Sequence, residues 1–217
     1  MRRITEARRE AILAAAAEEF SRSGYEGASL AAIAARLGSS KPTLYRYFPS
    51  KEALFAAVTS RRIDELMESA EAALTGGPDL ARGLRQYGER YLLFRQSPEA
   101  VTLIRVAFGE SGQSEIGRLL WKGAKLRGIE KIGQILFGSM ETGFLRRAEP
   151  KVAAAHLFAL LEAELVDAVV LRVRQPADGA EITEIVDRAV DAFLRAYSAE
   201  GAFTGGPGRS AAGGRRP

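Results

Sequence analysis

The sequence predicts an all-α protein, with a small N-terminal three-helix unit followed by a larger helical one. Apolar residues recur at three- and four-residue spacing along almost the whole chain, and no run of four or more residues alternates apolar with polar as a strand would. Each apolar stripe is bracketed by helix start and stop residues. A chain of 217 residues, 47% hydrophobic and 27% charged, is also long enough for one or two domains with a real core.

Ile12, Ala16 and Phe20 mark a first helix from about Thr5 to Arg22, stopped at Ser23-Gly24. Leu30, Ile33, Ala34 and Leu37 stripe a short second helix, with Ser29 as N-cap and Gly38 as terminator. A third runs from about Ser40 to Tyr47, Pro42 falling in the first turn where its missing N–H has no partner to lose. Ser50 caps a long fourth helix reaching about Leu74, before Gly76-Gly77-Pro78. Further helices are expected at about 79–96, 98–109 (Ser97 cap, Pro98 first), 113–141, 150–173 and 180–198. The helix over 150–173 is apolar nearly all round, which calls for cover on both faces. In the last, Ile182, Ile185, Val186, Ala189, Phe193 and Tyr197 oppose a row of charged residues. From Gly201 onward six Gly, two Pro and three Arg leave almost nothing to bury, so residues 199–217 are expected to be a disordered tail.

Composition excludes several classes. Without Cys there are no disulfides, thiolate metal sites or thiol nucleophiles, and a single His, His156, rules out a multi-histidine metal centre. No glycine loop for phosphates, dinucleotide fingerprint or nucleophile elbow is present, so neither an enzyme nor a cofactor is expected. The N-terminus lacks a signal-peptide pattern, and charges interrupt every apolar stretch, so a cytoplasmic protein with no membrane partner is expected. The net charge of +4 is uneven: residues 1–51 carry 9 Lys+Arg against 5 Asp+Glu, whereas residues 52–198 carry 19 against 21.

The segment from Ser29 to Lys51 has helix-turn-helix grammar: a short striped helix, a turn centred on Gly38-Ser39-Ser40, and a second short helix that begins with small polar and basic residues. Such a second helix enters the DNA major groove with its first residues at base edges. Leu44 and Phe48, four apart, can face the core and leave Lys41, Pro42, Thr43, Tyr45 and Arg46 around the rest. Lys41 and Arg46 can donate to guanine or phosphate, Thr43 can meet thymine or phosphate, and the phenols of Tyr45 and Tyr47 can reach phosphate. Ser29 and Lys51, each at a helix start, can bring an N–H or a cation to the backbone.

These residues carry a resemblance. The run Gly24-Tyr25-Glu26-Gly27-Ala28-Ser29-Leu30-Ala31-Ala32-Ile33-Ala34, followed by Leu37 to Leu54, closely resembles the TetR/AcrR family of bacterial one-component regulators over about 50 residues. Met140 to Pro150 also looks like that family's regulatory domains, of the AefR-like kind. The resemblance implies a helix-turn-helix DNA-binding domain at 1–50, a connecting helix at 50–74, an effector-binding and dimerisation domain over 51–198, and a homodimer on a double-stranded DNA operator. By position in the motif, the DNA contacts fall to Ser29, Ser40, Lys41, Pro42, Thr43, Tyr45, Tyr47 and Lys51. Some members place a basic residue early in the second helix, where this chain has Ala31 and Ala32.

Several residues keep two readings. Arg2, Arg3, Arg8 and Arg9 are either solvated surface or a phosphate-contacting arm. Tyr87, Tyr91, Phe94, Phe108, Trp121 and Phe144 are either ordinary core or the wall of an effector pocket, with His156 or Glu162 as its polar group. Glu162 and Glu164 could equally be polar residues of an interface. The expected function is a ligand-released repressor with a small, largely apolar effector; the alternatives are an activator, or a helical scaffold that uses the same helices for protein contacts.

Overall fold

The computed structural model describes residues 5–71, 80–109 and 125–199. Ten helices lie within them: α1 (Glu6–Gly27), α2 (Leu30–Arg36), α3 (Lys41–Tyr47), α4 (Lys51–Glu71), α5 (Leu80–Arg95), α6 (Pro98–Gly109), α7 (Arg127–Glu141), α8 (Pro150–Glu162), α9 (Val166–Val170) and α10 (Gly179–Tyr197). Among these residues no strand occurs, and extended pairing is limited to one bridge between Leu145 and Ser198. The all-α expectation holds. The expected break at 76–78, the start of the helix from 113, Trp121, Arg2, Arg3 and the tail beyond residue 199 lie outside the described residues.

Local chemistry sets the ends. Thr5 Oγ1 accepts the N–H of Arg8 at 3.4 Å, and α1 bends at Gly24, whose φ of +66° puts the expected stop inside a helix that resumes for one more turn. Ser29 Oγ accepts the N–H of Ala32 and Ser50 Oγ that of Ala53, both at 3.1 Å, so the first turns of α2 and α4 are capped. Gly38 takes φ +56° after α2, and the N–H of Ser39 donates back to the Ala34 carbonyl at 2.9 Å.

The helix expected over 150–173 is two helices. The backbone leaves the helix at Ala163 to Leu165, where the Leu165 N–H donates to the Glu162 carbonyl at 3.3 Å, and it turns again at Arg172, whose φ is +59°. No breaker residue marks the bend. Packing imposes it: Leu165 is fully buried, and Arg105 of α6 donates from Nε and a terminal nitrogen to the Val170 carbonyl at the end of α9, at 2.7 and 2.5 Å.

Buried residues form two clusters. The smaller joins Ile12, Ala16 and Phe20 of α1, Ile33 of α2, Leu44 and Phe48 around α3, and Leu54, Phe55 and Val58 of α4, with Leu103 reaching in from α6. The larger lies among α5, α7, α8, α9 and α10. There α5 packs so closely that a Cβ on Gly88 would meet Val186 at 2.8 Å and Leu161 at 2.9 Å. The carboxamide of Gln96 donates to the Ala177 carbonyl and accepts its N–H, pinning the loop before α10 to the end of α5. The apolar stripe of α10 is covered within the protomer, whereas Val152, Leu171 and Val173 on and after α8 and α9 stay exposed.

Candidate nucleic-acid interface and effector site

Between Gly27 and Lys51 the chain holds four basic residues, Arg36, Lys41, Arg46 and Lys51, and no acidic one. Arg36 pairs with Glu18 of α1. Leu44 and Phe48 are buried, so α3 is fixed by its apolar side, and Lys41, Pro42, Tyr45 and Arg46 stand exposed. Among the described residues the ammonium of Lys41 and the phenol of Tyr45 have no partner. Ser40 and Thr43 hydroxyls lie 3.0 Å apart at the start of the helix, each able to orient the other. Ser29 is exposed with its oxygen engaged as a cap acceptor, which leaves its own proton to donate.

Tyr47 and Lys51 are held differently. Tyr47 is half-buried and its hydroxyl accepts the Thr5 N–H at 3.3 Å, tying the start of α1 to α3. The Lys51 ammonium donates to the Glu26 carbonyl at 3.2 Å and sits 4.5 Å from the Tyr25 ring centroid, while the Tyr25 hydroxyl donates to Glu52 at 2.7 Å. Burial pushes the Glu52 carboxyl up, but the Tyr25 hydroxyl, its own backbone N–H, Ser50 and Lys51 together hold it below its ordinary value. Arg8 donates to the Leu37 carbonyl at 3.2 Å and Arg9 lies over Phe48, so both are braced against the recognition unit, beside the segment with no acids.

This unit is joined to the larger one by α6 and by an ion pair. Leu103 is buried in the smaller core, Arg105 holds the end of α9, and Arg127 of α7 meets Asp64 of α4 at 3.2 Å.

In the larger unit Tyr87 and Tyr91 stack with centroids 5.8 Å apart, and Phe158 packs against Tyr91 at 5.0 Å. At the end of this aromatic cluster lies Glu162. The Tyr91 hydroxyl donates to it, Lys125 donates to both its oxygens at 3.1 and 3.2 Å, and Arg95 Nε stands 3.2 Å away. Burial pushes the Glu162 carboxyl up, but Arg95, Lys125 and the Tyr91 hydroxyl outweigh it and hold the group below its ordinary value. Burial raises both phenols well above theirs, so Tyr91 remains a donor.

The other expected pocket residues lie elsewhere. His156 is on the exposed side of α8, its Nδ1 2.6 Å from the Tyr197 hydroxyl at the end of α10, and Phe144 packs near that same end beside the bridge to residues 198–199. Phe94 is half-buried on α5, and Phe108 is 83% exposed. Glu164 pairs on the surface with Arg188 at 2.7 Å. Arg95, Lys125 and Phe158 were absent from the sequence expectation. Tyr87, Tyr91 and Arg95 do share one helix face at four-residue spacing, but a basic residue in a last turn reads as a helix-end charge. A cavity of about 550 Å³ opens in the smaller unit, between α1 and α4, lined by Leu13, Ala17, Glu18, Arg22, Val58 and Arg61. Among the described residues no group of three or more His, Asp or Glu could hold a metal, and no helix is long and apolar enough to cross a membrane.

Residues 12–58 match the family model described as bacterial regulatory proteins of the tetR family. Residues 82–199 match that of the AefR-like transcriptional repressor C-terminal domain. The chain is 40% identical over 87 residues to the transcriptional activator FasR of Mycolicibacterium smegmatis, a match that spans 40% of each protein. It is 24% identical over 184 residues to the transcriptional repressor KstR of the same species, covering 84% of this chain and 85% of the relative. Among solved structures, a TetR-family transcriptional regulator from Mesorhizobium loti superposes with a TM-score of 0.74 at 25% identity, over 90% of this chain and all of the other. These relatives are transcriptional regulators, not enzymes.

Proposed function

Because the chain belongs to the TetR family of bacterial transcriptional regulators, we propose that it is a ligand-responsive repressor that binds a palindromic operator as a homodimer and is released by a small, largely apolar effector. Residues 1–50 act as the reading head, the helix from residue 50 to 74 connects it, and residues 51–198 form the effector-binding and dimerisation domain. The observation that carries the DNA half is the acid-free segment from Gly27 to Lys51, in which Ser29, Lys41, Pro42 and Tyr45 are exposed, and to it the reading assigns Ser40, Thr43, Tyr47 and Lys51 as well. Lys41 reads a base edge or phosphate, the Ser40 and Thr43 hydroxyls lie at the helix start that enters the groove, and Tyr45 reaches phosphate.

Support for the effector half is the aromatic and polar cluster of Tyr87, Tyr91, Phe158 and Glu162, and the absence of a flexible joint between Ser50 and Glu71. A two-fold dimer presents its two reading helices about one DNA turn, roughly 34 to 36 Å, apart, which suits a palindrome. Fluorescence anisotropy with DNA from the neighbouring intergenic regions tests the reading: tight, salt-dependent binding to one fragment is expected, and salt-independent or absent binding favours a helical scaffold. FasR is named an activator and KstR a repressor, so a transcription assay with that fragment distinguishes the two senses.

A further inference from the structure

At the start of α4 a cation is held without being neutralised. The left-handed turn at Gly24, φ +66°, redirects the last turn of α1 so that Tyr25 and the Glu26 carbonyl lie beside the first turn of α4. There the Lys51 ammonium donates to the Glu26 carbonyl at 3.2 Å, at the negative end of the α1 dipole, and stands 4.5 Å from the centroid of the Tyr25 ring. Both neighbours are uncharged. Among the described residues no carboxylate pairs with Lys51, although Glu52 follows it in the chain. Glu52 is drawn aside instead, because the Tyr25 hydroxyl donates to its carboxylate at 2.7 Å.

One side chain thus performs two tasks. The Tyr25 ring is fixed by Phe55 and Phe20, with centroids 4.9 and 6.2 Å away, so the face it offers to Lys51 keeps its orientation. An ammonium has three N–H donors; Glu26 takes one and the ring offers no acceptor atom, so donors remain for an oxygen anion. A Lys51–Glu52 ion pair would have to be broken before the cation could meet a phosphate, and it would cancel the cation's field meanwhile. The hydrogen bond from Tyr25 removes that competitor, and the fixed ring orders a long, flexible side chain before DNA arrives.

We propose that Tyr25 is a positioning residue for DNA binding: its ring holds the Lys51 ammonium and its hydroxyl keeps Glu52 off it, so that Lys51 meets a backbone phosphate as an unneutralised charge. The inference rests on the reading of residues 1–50 as the head that binds DNA, and it adds Tyr25 and Glu52 to the residues on which that binding depends.

The experiment is fluorescence anisotropy of the full chain on its operator fragment at a series of KCl concentrations, with Tyr25→Phe, Glu52→Gln, Lys51→Ala and their combinations. Lys51→Ala should lower the slope of log affinity against log salt by about one per reading head. Tyr25→Phe keeps the ring but frees Glu52 to pair with Lys51, so it should weaken binding about 5-fold at low salt and flatten the slope in the same direction. Glu52→Gln should restore the binding of Tyr25→Phe by about that factor and gain less in the native chain. Once Lys51→Ala is present, Tyr25→Phe should change nothing further. A head merely loosened by Tyr25→Phe would lose affinity by one factor at every salt concentration and would not be rescued by Glu52→Gln. That result, or unchanged affinity and slope, overturns the inference, while operator binding by the native chain keeps the proposed function. If circular dichroism shows Tyr25→Phe unfolded, the native chain carries the test: in isotope-labelled lysine spectra the ring current of Tyr25 should place the Lys51 ε-methylene upfield of that of the exposed Lys41, and coincident signals overturn the inference. A native chain that binds no DNA fails earlier, at the reading of the head, and takes the inference with it.

Discussion

Glu162 makes the larger unit sensitive to acid in a direction that follows from its partners. Its carboxyl is held below the ordinary 4.5, so it contributes stability above that value and loses the contribution as pH falls through the lower folded value. Between about pH 5 and pH 3, urea midpoints of the native chain should therefore fall more steeply than those of Glu162→Gln, the other carboxylates contributing alike to both. Parallel slopes would mean that the Arg95 and Lys125 pairs do not survive in solution. At the DNA surface, Lys41→Ala should weaken operator binding by about 1–3 kcal/mol and relax its sequence preference, and Tyr45→Phe should weaken it less and on all sequences alike. Unchanged anisotropy curves for both variants would place α3 away from the groove. Leu44 and Phe48 were legible in the sequence because four-residue spacing in a short helix leaves only one side to bury. The partnership of Arg95 with Lys125 was not, because it joins α5 to the approach of α7 and neither residue interrupts an apolar pattern.

At the scale of elements, ends marked by chemistry were legible and bends imposed by packing were not. The starts of α2 and α4 follow from Ser29 and Ser50, whose oxygens accept the N–H three residues on. Ser29→Ala should therefore cost about 1 kcal/mol of unfolding free energy in urea titration. The bend between α8 and α9 has no such mark, since the apolar period runs straight through Glu162 to Leu165 and only contacts from α6 reveal it. The same contacts give α6 a mechanical role. Leu103 sits in the smaller core and Arg105 grips the last carbonyl of α9, so a movement of α9 reaches α1 and α4 through one rigid helix of twelve residues. Arg105→Ala should leave effector affinity nearly unchanged while shrinking the effector's influence on operator affinity. If the variant shows full release from the operator, coupling runs through another path, such as the packing of α4 on α5 or the Asp64–Arg127 pair.

For the whole molecule, the distribution of covered and uncovered apolar surface bears on assembly. The charged outer row of α10 is largely engaged inside the protomer, Asp187 and Asp191 by Arg85 and Arg188 by Glu164, and its apolar stripe is covered by α5 and α8. Leu171 at 71% exposure and Val173 at 75% are not covered, and they sit at the end of the helical segment whose all-round apolar pattern called for a second layer. A two-fold partner is the commonest way to supply one. Leu171→Glu with Val173→Glu should then shift sedimentation from dimer to monomer at micromolar concentration. It should also cost most of the operator affinity, since one reading head alone engages half a palindrome, while far-UV circular dichroism stays that of the native chain. In that dimer the effector need only prefer the arrangement with misplaced heads by about 1 to 3 kcal/mol to lower DNA affinity roughly 5- to 150-fold. By the same linkage, operator DNA must weaken effector binding by an equal factor. Titrating effector into the chain with and without saturating operator measures that factor directly, and two unequal factors, or a ligand bound alike in both titrations, would rule out release by respacing of the heads.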